Sequence, residues 1–268
     1  MATAVLVVAF LAFIFLHNKH NPQATNPEPQ PLVAAQPEAM DPGKQLSLFQ
    51  AAREAEKQGK LADVQRLLLE GVAVDAKVDD GKTLLMLASE HVHPDIVKFL
   101  VGKGSDVNAK AKNDKTALML AAEKGQMDIV KFLVGKGADV NAKAKNDETA
   151  LVAAATRGFW EVVKFLVDKD ADVTAYGEND KTALMAATEK GRMDMVKLLV
   201  EKGADVNAKG ENDKTVLMMV ADKGRMDMVR FFVEKGADIN AKNKFGKTAL
   251  IITCHPEVAE FLRQHASD

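Results

Sequence analysis

The chain has one cysteine, one tryptophan, one tyrosine and four serines in 268 residues. A single cysteine, Cys254, excludes an internal disulfide and a thiolate metal cluster, and reads as a small core residue. No serine stands in a G-x-S-x-G elbow, so no nucleophile of that class is encoded. An excess of charge is also missing, since 36 basic residues face 38 acidic ones. Nucleic-acid binding asks for a basic face and a high pI, so the balance gives no case for such a partner. Proline is scarce outside one segment: six of the eight lie at positions 22, 27, 29, 31, 37 and 42.

What is present is a beat. Thr83, Thr116, Thr149, Thr182, Thr215 and Thr248 follow one another at intervals of 33 residues. Valine or isoleucine keeps the same interval at Val74, Val107, Val140, Val173, Val206 and Ile239, and aspartate or asparagine at Asp75, Asn108, Asn141, Asn207 and Asn240. A fixed period of this length means a stacked array, in which chain length sets only the number of units. Within residues 111–143, Leu118, Ala121 and Ala122 fall on one side of a short helix, and Ile129, Val130, Leu133 and Val134 make a stripe along a second. Gly125 breaks the chain between them, and Gly137 stands where a left-handed residue ends the second helix. Neither helix can bury its apolar face alone, so neighbouring units supply one continuous core.

The runs T-x-L-x-x-A-A, G-x-x-x-(I/V)-V-x-x-L and G-A-D-V-N-A resemble the ankyrin repeat over about residues 47–268. The resemblance implies an all-α ankyrin-repeat solenoid of stacked helix-turn-helix units with short hairpin loops. Seven units follow, at about 47–77, 78–110, 111–143, 144–176, 177–209, 210–242 and 243–268, the first and last atypical. Ser47 is expected to cap the first helix. Two departures from the family stand out. Met86, Met119, Met185 and Met218 replace a histidine that in the family bonds neighbouring units, which shifts the array toward apolar packing. The hairpin glycine survives at Gly81 and Gly246 but reads Asp114, Asp147, Asp180 and Asp213 elsewhere, each after an asparagine, a pair that tolerates tight turns.

Two segments precede the array. Residues 2–16 are uncharged and apolar apart from Thr3. With Met1 the run is sixteen residues, which as a helix reach about 24 Å against a hydrocarbon core of about 30 Å. No basic residue precedes the run, and His17, Asn18 and Lys19 follow it in place of a small-residue cleavage site, which favours an uncleaved membrane anchor in residues 1–20 over a cleaved signal peptide. A buried soluble helix is the third reading. Lys19 leans the array toward the cytoplasmic side of the membrane. Residues 21–46 are a Pro-rich linker; the 24 residues from Asn21 to Lys44 would extend about 75 Å in polyproline geometry.

Several local strings lose to blander readings. Gly81-Lys82-Thr83 and Gly246-Lys247-Thr248 lack the earlier glycine of a phosphate-binding loop. His91 and His93 have no further ligand at metal spacing and read as solvated loop residues. Glu123-Lys124, Glu189-Lys190 and Asp222-Lys223 repeat along a solvated face. No catalytic, cofactor or metal site and no small-molecule substrate is indicated. The reading is a monomeric, non-enzymatic protein-interaction module held at a membrane through residues 2–16. The alternative is an exported or periplasmic ankyrin protein, with a cleaved signal, that supports or inhibits a partner enzyme.

The fourth unit differs most from its neighbours. It holds the only tryptophan and tyrosine, Trp160 and Tyr176, and Phe159 where other units place Gln126, Arg192 and Arg225. Trp160 replaces a methionine and reads as packing, whereas Phe159 has no such counterpart. Aromatics and arginine dominate interface energies. The resemblance places partners along hairpin tips and first helices, which points to Glu148, Arg157 and Tyr176, with Lys143 and Lys181 flanking and Phe159 beside that groove or on a separate patch.

Overall fold

The computed structural model describes residues 42–77 and 80–266. The apolar run at 2–16, the anchor segment and the linker up to residue 41 lie outside the described residues. Among those described, no helix is long and apolar enough to cross a membrane.

The described residues form seven helix pairs, and the pairing follows the beat. They are α1 (Pro42–Lys57) with α2 (Leu61–Leu69), α3 (Leu84–His91) with α4 (Pro94–Gly102), α5 (Ala117–Glu123) with α6 (Met127–Gly135), and α7 (Ala150–Arg157) with α8 (Trp160–Asp168). Then come α9 (Ala183–Lys190) with α10 (Met193–Glu201), α11 (Val216–Asp222) with α12 (Met226–Glu234), and α13 (Ala249–Ile252) with α14 (Pro256–His265). Each first helix packs on the first helices of adjacent units and on its own second helix. Among the described residues the only strand-like pairing is one isolated antiparallel bridge, Tyr176 to Thr182.

In the second to seventh units the threonine stands at the start of the first helix. Thr83, Thr116, Thr149, Thr182 and Thr215 are extended residues whose hydroxyls accept the backbone N–H three residues on, at 3.2 to 3.4 Å. Such a cap satisfies one of the donors a helix start leaves orphaned. The methionines that replace the family's histidine, Met86, Met119, Met185 and Met218, are all buried. The six hairpin positions are left-handed throughout: Gly81 at φ 76°, Asp114 at 59°, Asp147 at 58°, Asp180 at 55°, Asp213 at 59° and Gly246 at 72°. Aspartate therefore keeps the turn glycine made. Gly125 and Gly137 are left-handed as the pattern requires.

Three expectations need correction. Helix α1 begins at Pro42 and runs 16 residues, so Ser47 lies inside it rather than at its cap; proline at a first helical turn costs no hydrogen bond. Cys254 is exposed, not core. It lies in the last described unit, where among the described residues α13 packs only on the sixth unit and its own second helix, and Ile251 beside it is 61% exposed. His91 and His93 are not solvated loop residues. His91 Nδ1 lies 3.2 Å from the buried Glu56 carboxyl of the first unit, and the His93 ring lies over Gly59, where an added Cβ would stand 3.0 Å from it.

Candidate functional site

One ion pair repeats along the first helices of the array. The lysine just before the threonine cap reaches the acidic residue at the end of its own first helix: Lys82 to Glu90 at 2.8 Å, Lys115 to Glu123 at 3.0 Å, Lys181 to Glu189, and Lys214 to Asp222 at 3.6 Å. Glu123, Glu189 and Asp222 thus pair across their helix, not with the lysine that follows each in sequence.

The fourth unit breaks the series. It has Glu148 where the others have lysine and Thr156 where they have an acid, so no pair can form within it. Its charges reach back to the third unit instead. Glu148 lies 3.2 Å from Lys115 Nζ, and Arg157 donates to Glu123 at 2.7 Å. Lys115, Glu123 and Glu148 are each about one-fifth exposed. Burial works against the Glu123 anion, but hydrogen bonds from Arg157 and Lys115 hold its carboxyl below the usual carboxylate range. Burial likewise disfavours the Lys115 cation, and its pKa is nonetheless raised by Glu123 and Glu148. A half-buried four-membered network of this kind resists salt better than an isolated surface pair.

Phe159 also reaches back. Its ring covers the left-handed Gly125 of the third unit so closely that a Cβ there would lie 2.3 Å from it. It is the packing residue that sequence comparison did not recognise, although 37% of it remains exposed. Trp160 is half-buried, with the Arg192 guanidinium of the fifth unit 5.2 Å from its ring centre. Tyr176 is 40% exposed on the hairpin ridge, in the row where Lys77, Lys110, Lys143, Lys209 and Lys242 stand. Lys143 is exposed beside it in that row.

The six residues singled out from sequence therefore divide. Glu148, Arg157 and Phe159 join the fourth unit to the third, and Lys181 pairs within the fifth. Tyr176 and Lys143 are offered to solvent. Among the described residues no group of histidine, cysteine and carboxylate side chains is arranged to hold a metal ion. The clefts of the array are shallow. One, of about 390 Å³, lies between the fifth and sixth hairpins and is lined by Lys181, Met185, Glu189, Glu211 and Lys214.

The sequence matches the family described as Ankyrin repeats (3 copies) over residues 48–144 and 136–210, and that described as Ankyrin repeats (many copies) over residues 199–252. The fold is similar to the crystal structure of the ankyrin repeat domain of Bcl-3, a unique member of the IkappaB protein family. The TM-score is 0.67 at 29% identity, covering 80% of this chain and 97% of that one. It is also similar to the human ASB11 ankyrin repeat domain, with a TM-score of 0.66 at 25% identity, covering 80% of this chain and 96% of that one. No curated protein sequence matches the chain.

Proposed function

The chain belongs to the ankyrin-repeat family, and on that premise we propose that it is a non-catalytic protein-binding module held at a membrane by residues 2–16, with its recognition surface on the fourth unit. Ankyrin-repeat domains in general bind other proteins and are typically not enzymes. The observation that carries the choice of unit is Tyr176. It interrupts a row of lysines on the hairpin ridge with an aromatic side chain that is 40% exposed, and tyrosine supplies large contact area at low entropy cost. Lys143 and Lys181 flank it in the sequence, while Arg157 keeps 59% and Glu148 17% of the side chain exposed in their ion network. Phe159, 37% exposed over Gly125, is the third candidate contact, beside that surface or on a patch of its own. The anchor is supported by the uncharged run at 2–16 and by the lack of a cleavage signal after it.

Affinity purification of the intact protein from its native membrane supplies the partner. Changing Tyr176, Arg157 and Phe159 singly to alanine is then expected to weaken capture at least tenfold in a variant that still folds, about 1.4 kcal/mol. Unchanged capture in all three would rule the fourth unit out. For the anchor, the full chain should stay with membranes through high salt and carbonate, and a mature N-terminus between positions 17 and 40 would exclude it.

A further inference from the structure

The asparagines on the 33-residue beat clasp one unit to the next, and three joints show the clasp complete. Asn108 Nδ2 donates to the Gly137 carbonyl at 3.0 Å while its Oδ1 accepts from Asp139 N–H at 2.8 Å. Asn141 makes the same two bonds to Asp170 O and Asp172 N–H at 3.2 and 2.8 Å, and Asn207 to Gly236 O and Asp238 N–H at 3.1 and 2.8 Å. In each case one primary carboxamide bridges an acceptor and a donor two residues apart in the next unit's loop.

Thr174 holds this position at the joint of the fourth and fifth units. Its hydroxyl donates to Asp172 Oδ1 at 2.6 Å, within its own loop, and does not reach the fifth unit. The corresponding backbone groups there, the Gly203 carbonyl and the Asp205 N–H, have no hydrogen-bond partner among the described residues. Gly203 borders a cleft of about 330 Å³ at the joint, with Asp170, Val173, Thr174 and Lys202 among its walls.

The same joint is also released on the hairpin side. Elsewhere a hairpin bonds to the one before it: Lys112 N–H to Asp80 O at 2.9 Å, Lys145 N–H to Asn113 O at 3.0 Å and Lys244 N–H to Asn212 O at 3.0 Å. Glu178 and Glu211 make no such bond. In their hairpins Asn179 and Asp180, and Asn212 and Asp213, are left-handed in succession, whereas the third and fourth hairpins have one such residue each. Among the described residues, the joint of the fourth and fifth units is the one that lacks both the clasp and the hairpin bond, and the cleft beside Thr174 and Gly203 lies on its clasp side.

We propose that this joint is a docking seat for a primary carboxamide, the side chain of an asparagine or glutamine presented by a protein partner, bound to Gly203 O and Asp205 N–H in the pose that Asn108, Asn141 and Asn207 display. The inference rests on the reading of the chain as a protein-binding array and adds the chemistry of the partner's anchoring side chain. The pair of backbone groups selects that chemistry. A carboxylate has no proton for Gly203 O and would face the Asp170 and Asp172 carboxylates. An ammonium group has no acceptor for Asp205 N–H. A main-chain peptide group is trans, so its N–H and C=O point apart and cannot bridge neighbouring groups, whereas a primary amide carries both on one edge.

The test uses the full chain, ¹⁵N-labelled, titrated with the peptide Gly-Gly-Gln-Gly-Gly and with Gly-Gly-Glu-Gly-Gly. The glutamine peptide should give saturable shifts at the Asp205 amide and its neighbours, with the glutamate peptide at least tenfold weaker. Thr174→Asn fills the seat from within. It should abolish those shifts, slow exchange of the Asp205 amide and raise the thermal midpoint, while Thr174→Ser should behave as the parent does. Absence of a saturable shift at Asp205, equal response to both peptides, or a response that survives Thr174→Asn would each overturn the proposal. If Thr174→Asn does not fold, the comparison of the two peptides on the parent chain still decides. The titration needs no partner, so its failure is separable from a failure of Tyr176 variants to lose capture.

Discussion

The Glu56 carboxyl sits 3.2 Å from Nδ1 of His91, fully buried between α1 and the end of α3. Burial, reinforced by the neighbouring Glu90 and opposed by Arg53, pushes its pKa from 4.5 to about 8. At neutral pH it is therefore a neutral carboxylic acid, able to donate its proton to an uncharged imidazole. Burial also lowers the His91 pKa from 6.5, helped by the charges of His93, Lys57 and Lys82 and opposed by Glu90.

The two groups give stability opposite pH slopes. Glu56 binds its proton more tightly folded than unfolded, so its contribution is complete below pH 4.5 and is lost as pH rises to about 8. His91 binds its proton more weakly folded, so its contribution is lost as pH falls below 6.5. Between pH 6.5 and 8 only Glu56 should act, and the thermal midpoint should fall. Glu56→Gln, which keeps the shape without the titration, should flatten that slope. An equal fall in parent and variant would remove Glu56 as the cause.

Val92 is left-handed at φ 69°, where the third to sixth units place Gly125, Gly158, Gly191 and Gly224. A β-branched residue there is strained by about 1 to 2 kcal/mol, partly offset in glycine by greater chain entropy. Val92→Gly should raise stability by about 0.5 to 1 kcal/mol in urea melts. A loss of stability would show that the contacts of the valine side chain outweigh its backbone.

Thr188 carries a buried hydroxyl with no hydrogen-bond partner among the described residues. Ser89, at the same place in the second unit, donates to Leu85 O at 2.8 Å. Replacing the orphan by an isosteric methyl, Thr188→Val, should stabilise by about 1 kcal/mol. Calorimetry on the two proteins decides, and an unchanged or lower midpoint would mean that the hydroxyl is satisfied in solution.

Leu133 is fully buried while Ile251 is 61% exposed. Leu133→Ala should therefore cost about 2 to 5 kcal/mol, and Ile251→Ala within about 0.5 kcal/mol. Similar costs for the two would contradict the burial of Leu133 and the exposure of Ile251.

The helix pairs, the buried methionines and the left-handed aspartates were all legible from sequence, because each repeats at the same place in successive units and is fixed by contacts inside one period. What stayed hidden lies between units. Phe159 over Gly125 and His91 on Glu56 join residues 34 and 35 apart. Reading one position down the repeats marks Phe159 as an exception without showing what it covers. The available signal was diagonal: in three units the residue ten after the threonine faces the loop position 34 residues before it, as with His93 and Gly59, Phe159 and Gly125, and Arg225 and Gly191. Glu148 was hidden in the same way. Its loss of a lysine looked like an exposed novelty, whereas Lys115 of the preceding unit takes up its charge.

That exchange of charges has a bearing on how such a chain can change by gene duplication. A unit whose lysine and acid pair with each other carries its own electrostatic solution and can be copied, deleted or moved with little consequence. The fourth unit cannot. Duplicated on its own, it would set Glu148 of the second copy beside Glu148 of the first and Arg157 beside Thr156, with neither Lys115 nor Glu123 to receive them. The third and fourth units are therefore one heritable piece of 66 residues, and an insertion between them would strand Glu148 and Arg157 away from Lys115 and Glu123.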